Sequence, residues 1–358
     1  MKKKTILFAI PNLKGGGAER VTVNFIRNLN LDLYNISLLL IQKTGPYLDL
    51  IPNYVTIVSL NKTKTRQGFF ALVKAINNMK PDAIFSTTNR MNILVLAASF
   101  FFKKGSKIFI REPNMPKAQI INGELSAFSK WTYLALIRFF YPMANKIIAQ
   151  TEEMAEEIQQ VFKIDKSKII TIHNPIDKSI IDEKIKNSSN PFNPSFINVV
   201  AAGRIVNQKG FDVLIDSFKY VVKENDKFRL FIIGDDVIGK QKALELQIEK
   251  LELKNYIRFL GFQNNPYQYY YYSDLFVLSS RWEGLPNTVL ENLYLKKPVV
   301  ATKCTAYMNK LIQNGKNGFL VDIESPEQLA NSILKLKQLN SEWSNKNTEE
   351  NINNFFYY

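Results

Sequence analysis

The 358-residue sequence predicts an α/β fold made of two doubly wound domains. Three observations carry that prediction. Short Val/Ile/Leu-rich runs alternate with longer helical patterns, as in parallel sheets covered on both faces. The alternation lapses once, in a polar Pro/Asn/Ser-rich stretch, and then restarts. The length also exceeds one ordinary core and suits two. The first domain reads as residues 1–175, the linker as 176–197, the second domain as 198–340 and a tail as 341–358.

In order, TILFAI is a first strand, and AERVTVNFIRNLN after a glycine loop is a first helix. Strands YNISLLLI and YVTIVSL follow, then a helix in GFFALVKAINNM, strand DAIFS, helix NILVLAASFFF and strand KIFIRE. A long helix near 125–140 leads to strand KIIAQT, helix EEMAEEIQQVF and strand KIITIHNP. After the linker the series is INVVAAG, helix GFDVLIDSFKYVV, FRLFIIG, a helix near 240–253 and YIRFLG. The tyrosine run YQYYYY reads as helix packing with a wet edge. DLFVLSS, helix VLENLYLKK, PVVAT, GFLVD and a helix near 326–339 close the series, and no short-period repeat is visible.

Composition narrows the function. Hydrophobic content of 46% with 22% charged residues suits a soluble globular protein. The opening lysines and TILFAI lack the length and cleavage site of a signal peptide, and no run reaches the ~20 apolar residues of a membrane span. A cytoplasmic, non-spanning protein is the expectation. One cysteine, Cys304, rules out a disulfide framework and a thiolate zinc cluster. One histidine, His173, reads as structural, which removes His-based metal sites and Cys–His nucleophilic catalysis. Residues 1–170 hold 24 Lys/Arg against 11 Asp/Glu, and the rest 23 against 21, so the net charge of +15 lies almost wholly in the first half. That half calls for an anionic partner or presents a solvated basic face. Nucleic acid is the weakest choice, because the cations are spread out and no recognition motif accompanies them.

The chain is organised around residues 279–302, SSRWEGLPNTVLENLYLKKPVVAT. A buried strand enters a loop carrying Glu283, Pro286 opens a helix beside Asn287, and Glu291 stands one turn inside it. A helix start attracts anions, yet two acids flank this one, so the ligand should combine phosphate with hydroxyls, as a nucleotide sugar does. Gly15, Gly16 and Gly17 lie between the first strand and first helix, where they let backbone N–H groups approach an anion or simply make a tight turn. They do not satisfy the dinucleotide fingerprint, since Arg20 takes the third glycine position. Gly203, Arg204 and Lys209 occupy the same place in the second half, where Arg204 and Lys209 suit a diphosphate or are ordinary surface cations.

These residues resemble the retaining glycosyltransferases of family four, with the two-domain GT-B architecture. The resemblance covers nearly the whole chain and rests on GGGAERV, AQTEEM, IHNPID, GRIVNQKGFDVLIDSF, the 279–302 stretch and NGKNGFLV. It implies two Rossmann-like domains facing across a cleft. It also implies that Arg204 and Lys209 clamp the donor diphosphate, assisted by Gly203, Gly234 and the Gly15–Gly17 loop. Glu291 would bind the ribose hydroxyls. Glu283, with Gly284, Leu285 and Asn287, would address the donor sugar. In retaining transfer of this type the departing diphosphate accepts the acceptor's proton, so Glu283, Arg204 and Lys209 form the catalytic set, without metal or cofactor. No strong candidate for the side-chain base of an inverting enzyme is visible.

By the same resemblance, the first domain takes the acceptor through Arg111, Glu112 and Asn114 on a loop at a strand end. The implied function moves a hexose or N-acetylhexosamine from a UDP-sugar to a lipid-linked or polysaccharide acceptor in bacterial surface glycan assembly. Aromatic residues mixed with Lys/Arg at 100–104 and 128–141 would touch an anionic membrane at the inner face, or else pack inside. Three departures stand out: Asp236 replaces a glycine, Lys310 replaces an acid, and the tail looks like an incomplete crossover helix. They keep open a catalytically weak sugar-nucleotide-binding protein, beside a nucleotide-sugar epimerase of the same architecture.

Overall fold

The computed structural model describes residues 2–121 and 126–339; the tail lies outside them. The described chain divides into two units, split between Asp177 and Lys178.

Unit 1 holds seven strands: β1 (Lys4–Ile10), β2 (Tyr34–Leu40), β3 (Thr56–Ser59), β4 (Ala83–Thr87), β5 (Lys107–Arg111), β6 (Lys146–Ala149) and β7 (Ile169–Thr171). Its helices are α1 (Gly17–Asn28), α2 (Phe69–Met79), α3 (Asn89–Ala98), α4 (Pro116–Ile121), α5 (Ala127–Phe140) and α6 (Glu152–Phe162). The strands pair in parallel in the order β3-β2-β1-β4-β5-β6-β7. Alternate residues of β1 feed opposite faces. Leu7 and Ala9 join a core with α2, α3, α5 and α6, whereas Phe8 and Ile10 pack with Val23 and Ile26 of α1. Both faces are covered, which is why the strands read as unbroken apolar runs. The Thr151 hydroxyl caps α6 by accepting from Met154 N–H at 3.2 Å, with Glu152 and Glu153 in the first turn.

Unit 2 begins with α7 (Lys178–Lys186), inside the stretch the sequence reads as linker. Only Ile180 and Ile181 of α7 are buried, too few for a visible helical period. Six strands follow: β8 (Ile197–Ala202), β9 (Phe228–Ile233), β10 (Ile257–Gly261), β11 (Leu275–Leu278), β12 (Val299–Thr302) and β13 (Gly318–Val321). They pair in parallel in the order β10-β9-β8-β11-β12-β13. The helices are α8 (Phe211–Glu224), α9 (Gln241–Lys250), α10 (Pro266–Tyr272), α11 (Asn287–Tyr294), α12 (Met308–Leu311) and α13 (Pro326–Leu339). Residues of α8, α9 and α13 share one core with alternate strand positions such as Val199, Ala201, Leu230 and Ile232. The tyrosine run is α10, with Tyr267 and Tyr270 buried and Tyr271 exposed, as its composition predicts.

Each sheet reverses its strand order once, between β1 and β4 in unit 1 and between β8 and β11 in unit 2. At such a switch point the loops leaving the two strands diverge to opposite faces and open a crevice beyond the carboxyl ends. In unit 2 those loops are residues 203–210 and 279–286. Gly210 holds φ 59° at their contact, and a Cβ there would sit 2.2 Å from the Ser279 carbonyl oxygen. Gly210→Ala should therefore cost about 1–3 kcal/mol, read as a lower urea midpoint than the parent chain's. An unchanged midpoint would show that the two loops are not in close contact.

Candidate active site

The loop after β8 supplies two cations. Arg204 is exposed, and its guanidinium makes no hydrogen bond or ion pair among the described residues. Lys209 reaches the other way, its Nζ lying 2.5 Å from Glu283 Oε1. Ser280 Oγ donates to the same carboxylate oxygen at 2.7 Å, and Gln208 Nε2 lies 3.4 Å from Oε2 while donating to the Trp282 carbonyl at 2.8 Å. Glu283 is only 7% exposed, so the pair is largely desolvated. A carboxylate so placed needs its cation, because an unpaired buried charge is strongly destabilising.

Further contacts lock the two loops together. Arg281 donates to both carboxylate oxygens of Asp212, at 2.8 and 2.6 Å, and to the Asn207 carbonyl at 2.7 Å. The Asp212 hydrogen bonds hold its guanidinium well above the usual arginine range. Ser279 Oγ donates to the Lys209 carbonyl at 2.8 Å, and Thr302 Oγ1 to the Ser280 carbonyl at 2.5 Å. Cys304 lies beside this cluster, its thiol pushed up to about 12 by burial and by the Glu283 charge, so it stays an unreactive thiol.

Beyond Glu283 the chain turns into α11. Gly284 and Leu285 are buried, and Asn287 is the half-buried first residue of the helix. The Gly284 N–H makes no hydrogen bond among the described residues, at the positive end of the α11 dipole. Glu291, 6% exposed, receives the Tyr267 hydroxyl at 3.5 Å from the start of α10. Both acids are thus buried against polar partners. On the β9 side, Gly234 approaches the β8 end so closely that a Cβ there would lie 1.8 Å from the Gly203 carbonyl oxygen. Asp236 accepts from the N–H groups of Lys240 and Gln241 at 2.8 and 3.0 Å, which gives this departure a local role in starting α9. Lys310 lies on α12 with its ammonium 5.0 Å from the Tyr307 ring centroid.

Unit 1 places its predicted residues differently. The Gly15–Gly17 loop leads into α1, with Gly16 at the N-cap. Tyr47 braces it, donating its hydroxyl to the Gly15 carbonyl at 3.3 Å while its ring lies 4.2 Å from the Arg20 guanidinium. Of the segment read as a loop at a strand end, Arg111 is the last residue of β5 and Glu112 follows it, both buried, while Pro113 and Asn114 are half-buried. The reason is lateral cover. Tyr141 donates its hydroxyl to Glu112 Oε1 at 2.5 Å and Asn89 Nδ2 donates to Oε2 at 2.7 Å. Arg111 Nη2 donates to Asn174 Oδ1, while its Nε and Nη1 have no acceptor among the described residues. Asn174 continues to Gln150, whose carbonyl lies 2.7 Å from His173 Nδ1.

Sequence reading missed Ser280, Gln208, Arg281, Thr302, Tyr267 and Tyr47. Ser280 and Arg281 stand inside the quoted 279–302 stretch, but their partners lie far along the chain or on other loops, and no spacing rule encodes those meetings.

Burial raises the Glu112 carboxyl from 4.5 to about 7, against the opposing Tyr141 and Asn89 hydrogen bonds and the Arg111 charge. Its proton is therefore retained in the folded chain and lost earlier in the unfolded one. The resulting stability is fully present below the unfolded value and disappears as pH rises through the folded one. At about 1.4 kcal/mol per pH unit the loss is on the order of 3 kcal/mol. Urea unfolding at about pH 5 and about pH 8 should show a larger drop for the parent chain than for Glu112→Gln. Equal drops would show that Glu112 titrates normally.

The profile described as "Glycosyl transferases group 1" matches residues 182–354, and "Glycosyltransferase Family 4" matches residues 15–179. An uncharacterised glycosyltransferase of Methanocaldococcus jannaschii is 36% identical over 245 residues, 66% of this chain and 59% of that one. The N-acetylgalactosamine-N,N'-diacetylbacillosaminyl-diphospho-undecaprenol 4-alpha-N-acetylgalactosaminyltransferase of Campylobacter jejuni is 26% identical over 349 residues, 94% of this chain and 92% of that one. Among solved structures, Anabaena HepE in complex with UDP and glucose superposes with a TM-score of 0.78 at 22% identity, covering 99% of this chain and 95% of that one. The two matched profiles meet at the division between the units, and the chain belongs to the group 1 glycosyltransferases, with the GT-B fold.

Proposed function

We propose that this protein is a retaining, metal-independent glycosyltransferase. It transfers a hexose or N-acetylhexosamine from a uridine diphosphate sugar to a lipid-linked or polysaccharide acceptor in surface glycan assembly. The observation that carries the reading is the Lys209–Glu283 pair at the unit 2 switch point, with the exposed Arg204 on the same loop. The resemblance of the whole chain to an enzyme acting on a diphospho-undecaprenol substrate supports the acceptor class. Among the described residues no helix is long and apolar enough to cross a membrane, so a lipid-linked acceptor would be met at a bilayer surface.

The charge balance suggests how a donor is received. An ammonium has three donor hydrogens, and Lys209 gives one to Glu283. A diphosphate arriving between Arg204 and Lys209 draws the ammonium outward and frees Glu283 to accept from sugar hydroxyls. Glu291 takes the ribose hydroxyls. As the bond from the anomeric carbon to the diphosphate oxygen breaks, the two cations and the α11 N-terminus offset the growing negative charge. The acceptor oxygen bonds the same face of that carbon, and its proton passes to the departing diphosphate.

Uridine diphosphate at a hundred times its dissociation constant should stabilise the protein by about 2.7 kcal/mol, seen as a raised melting temperature that EDTA does not reverse. No shift, or one abolished by EDTA, would overturn the donor reading. Lys209→Ala should lower kcat/KM by about a hundredfold or more. Pairing it with Glu283→Gln should recover stability without recovering turnover, because the buried charge is gone but the diphosphate still lacks its cation. Transfer by the double variant at the parent rate would rule Lys209 out.

A further inference from the structure

We propose that the groove where α7, α10 and α11 end is a second glycan-binding site, which holds a neutral, hydroxyl-rich sugar segment away from the reacting centre. It rests on the glycan reading of the substrate, and it lies apart from the Lys209–Glu283 loops.

The groove encloses about 470 Å³, inside the range of roughly 300–1,000 Å³ usual for small-molecule sites. Its walls all belong to unit 2. Asp182 and Lys186 come from α7, Tyr271 from α10, and Tyr294 and Lys296 from the end of α11, with Ile185 and Leu295 as the aliphatic lining. The walls are tied together. Tyr294 directs its hydroxyl at Asp182, 2.9 Å from either carboxylate oxygen. Asn265 Nδ2, just before α10, donates to the Lys184 carbonyl at 3.1 Å, and the Tyr272 hydroxyl donates to the Ser188 carbonyl at 3.2 Å. Tyr271 is 43% exposed. Its ring stands edge-on to Tyr272 at 5.0 Å, and Lys297 Nζ lies 5.5 Å from its centroid. An aromatic surface is thus held in place before a ligand arrives, which lowers the ordering cost of binding.

Charge and hydrogen bonding select the occupant. Three helices reach the groove by their C-terminal ends: Lys186 is the last residue of α7, Tyr271 the last but one of α10, and Tyr294 the last of α11. Such ends carry partial negative charge and carbonyl oxygens without intrahelical partners. A phosphate or carboxylate is repelled there, and Asp182 adds to the repulsion. Lys186 and Lys296 oppose these negative groups, so the lining is close to neutral with both signs present. Lys296 takes φ 57° directly after α11, a left-handed position that glycine or asparagine usually fills. An apolar helix laid in this groove would strip water from the acid and the ammonium groups and give them nothing in return. A sugar satisfies both sets. Its hydroxyls donate to carbonyl and carboxylate oxygens and accept from ammonium groups, while its C–H face lies against the tyrosine ring.

α11 links this groove to the donor site. From Asn287 at one end to Tyr294 at the other, the helix is roughly 10 Å long at about 1.5 Å per residue. A glycan gripped at the groove stays tethered to the unit that binds the donor, which raises its effective concentration there.

The test is titration calorimetry with maltohexaose and chitohexaose, on the parent chain and on the Tyr271→Ser/Lys186→Gln variant. The parent should bind at least one of the two with Kd below about 1 mM, and the variant about tenfold more weakly or worse. Tyr271→Trp keeps a ring at the same place, and its emission should shift on saturation by the neutral sugar in a way the parent's does not. Hexagalacturonate, an acidic sugar chain, should leave that emission unshifted. Binding of neither neutral oligosaccharide, unchanged affinity in the double variant, or an indole that responds only to hexagalacturonate overturns the proposal. So does a parent that elutes as a dimer which the double variant converts to monomer, since that assigns the groove to a second copy. Stabilisation by uridine diphosphate, measured on the same samples, reports on the donor site. Its retention by the variant shows an intact fold, and its absence from the parent counts against the donor reading while leaving the groove result to stand.

Discussion

One buried ion pair organises unit 2. Lys209 and Glu283 leave different strand ends, 74 positions apart in the chain, and neither is tolerable alone in so dry a place. Their meeting requires the β8 and β11 loops to converge, and the rest of the site reads as the means of bringing that about. Gly210 lets the first loop pass under the Ser279 carbonyl, Arg281 staples it to Asp212, and Ser280 and Gln208 hold the carboxylate from the remaining sides. An oriented pair with unequal claims on its charges can exchange one partner for a ligand without leaving a naked charge behind. That property suits a substrate bearing a diphosphate and hydroxyls on adjoining atoms.

Unit 1 stores its polar chemistry differently. Arg111 and Glu112 stand side by side at the end of β5, both out of water, and each is displaced toward its neutral form. Burial lowers the arginine to about 10 and raises the glutamate to about 7. A network of Asn89, Tyr141, Asn174 and Gln150 surrounds them. Such a network shapes the strand end and the Pro113–Asn114 turn that follows it. Pro113 and Asn114 are the half-buried residues of this segment, with Arg111 and Glu112 beneath them. The chemistry facing solvent in unit 1 is apolar and cationic, on the outer sides of α2 and α5.

Much of this was legible in the residues themselves. The alternation of strands and helices predicted two doubly wound sheets, and the sheets have seven and six parallel strands. The stretch 279–302 marked the loop acid, the helix start and the acid inside the helix. The cationic loop at Gly203 to Gly210 marked its counterpart. The tyrosine run packs as its composition predicts, with Tyr267 and Tyr270 buried and Tyr271 exposed, and Tyr267 also reaches Glu291. Two readings changed. The linker hides α7, whose two buried isoleucines are too few to show a period. Arg111 and Glu112, read as lying on a loop at a strand end, are interior, Arg111 as the last residue of β5 and Glu112 under Tyr141 at the end of α5.

The sequence by itself determined the fold class and the positions at which cations, acids and turns would stand, since these follow from local periodicity and from residue types acting within a few positions. Tertiary structure alone decided which charges meet and which faces stay wet. Lys209 finds Glu283 through the crossover of two strands, and Glu112 loses its water to a tyrosine 29 positions away. The aromatic side of α5 could have packed inward with equal ease on its pattern. The sheet has room for one face of a helix, and the second apolar face is left outside.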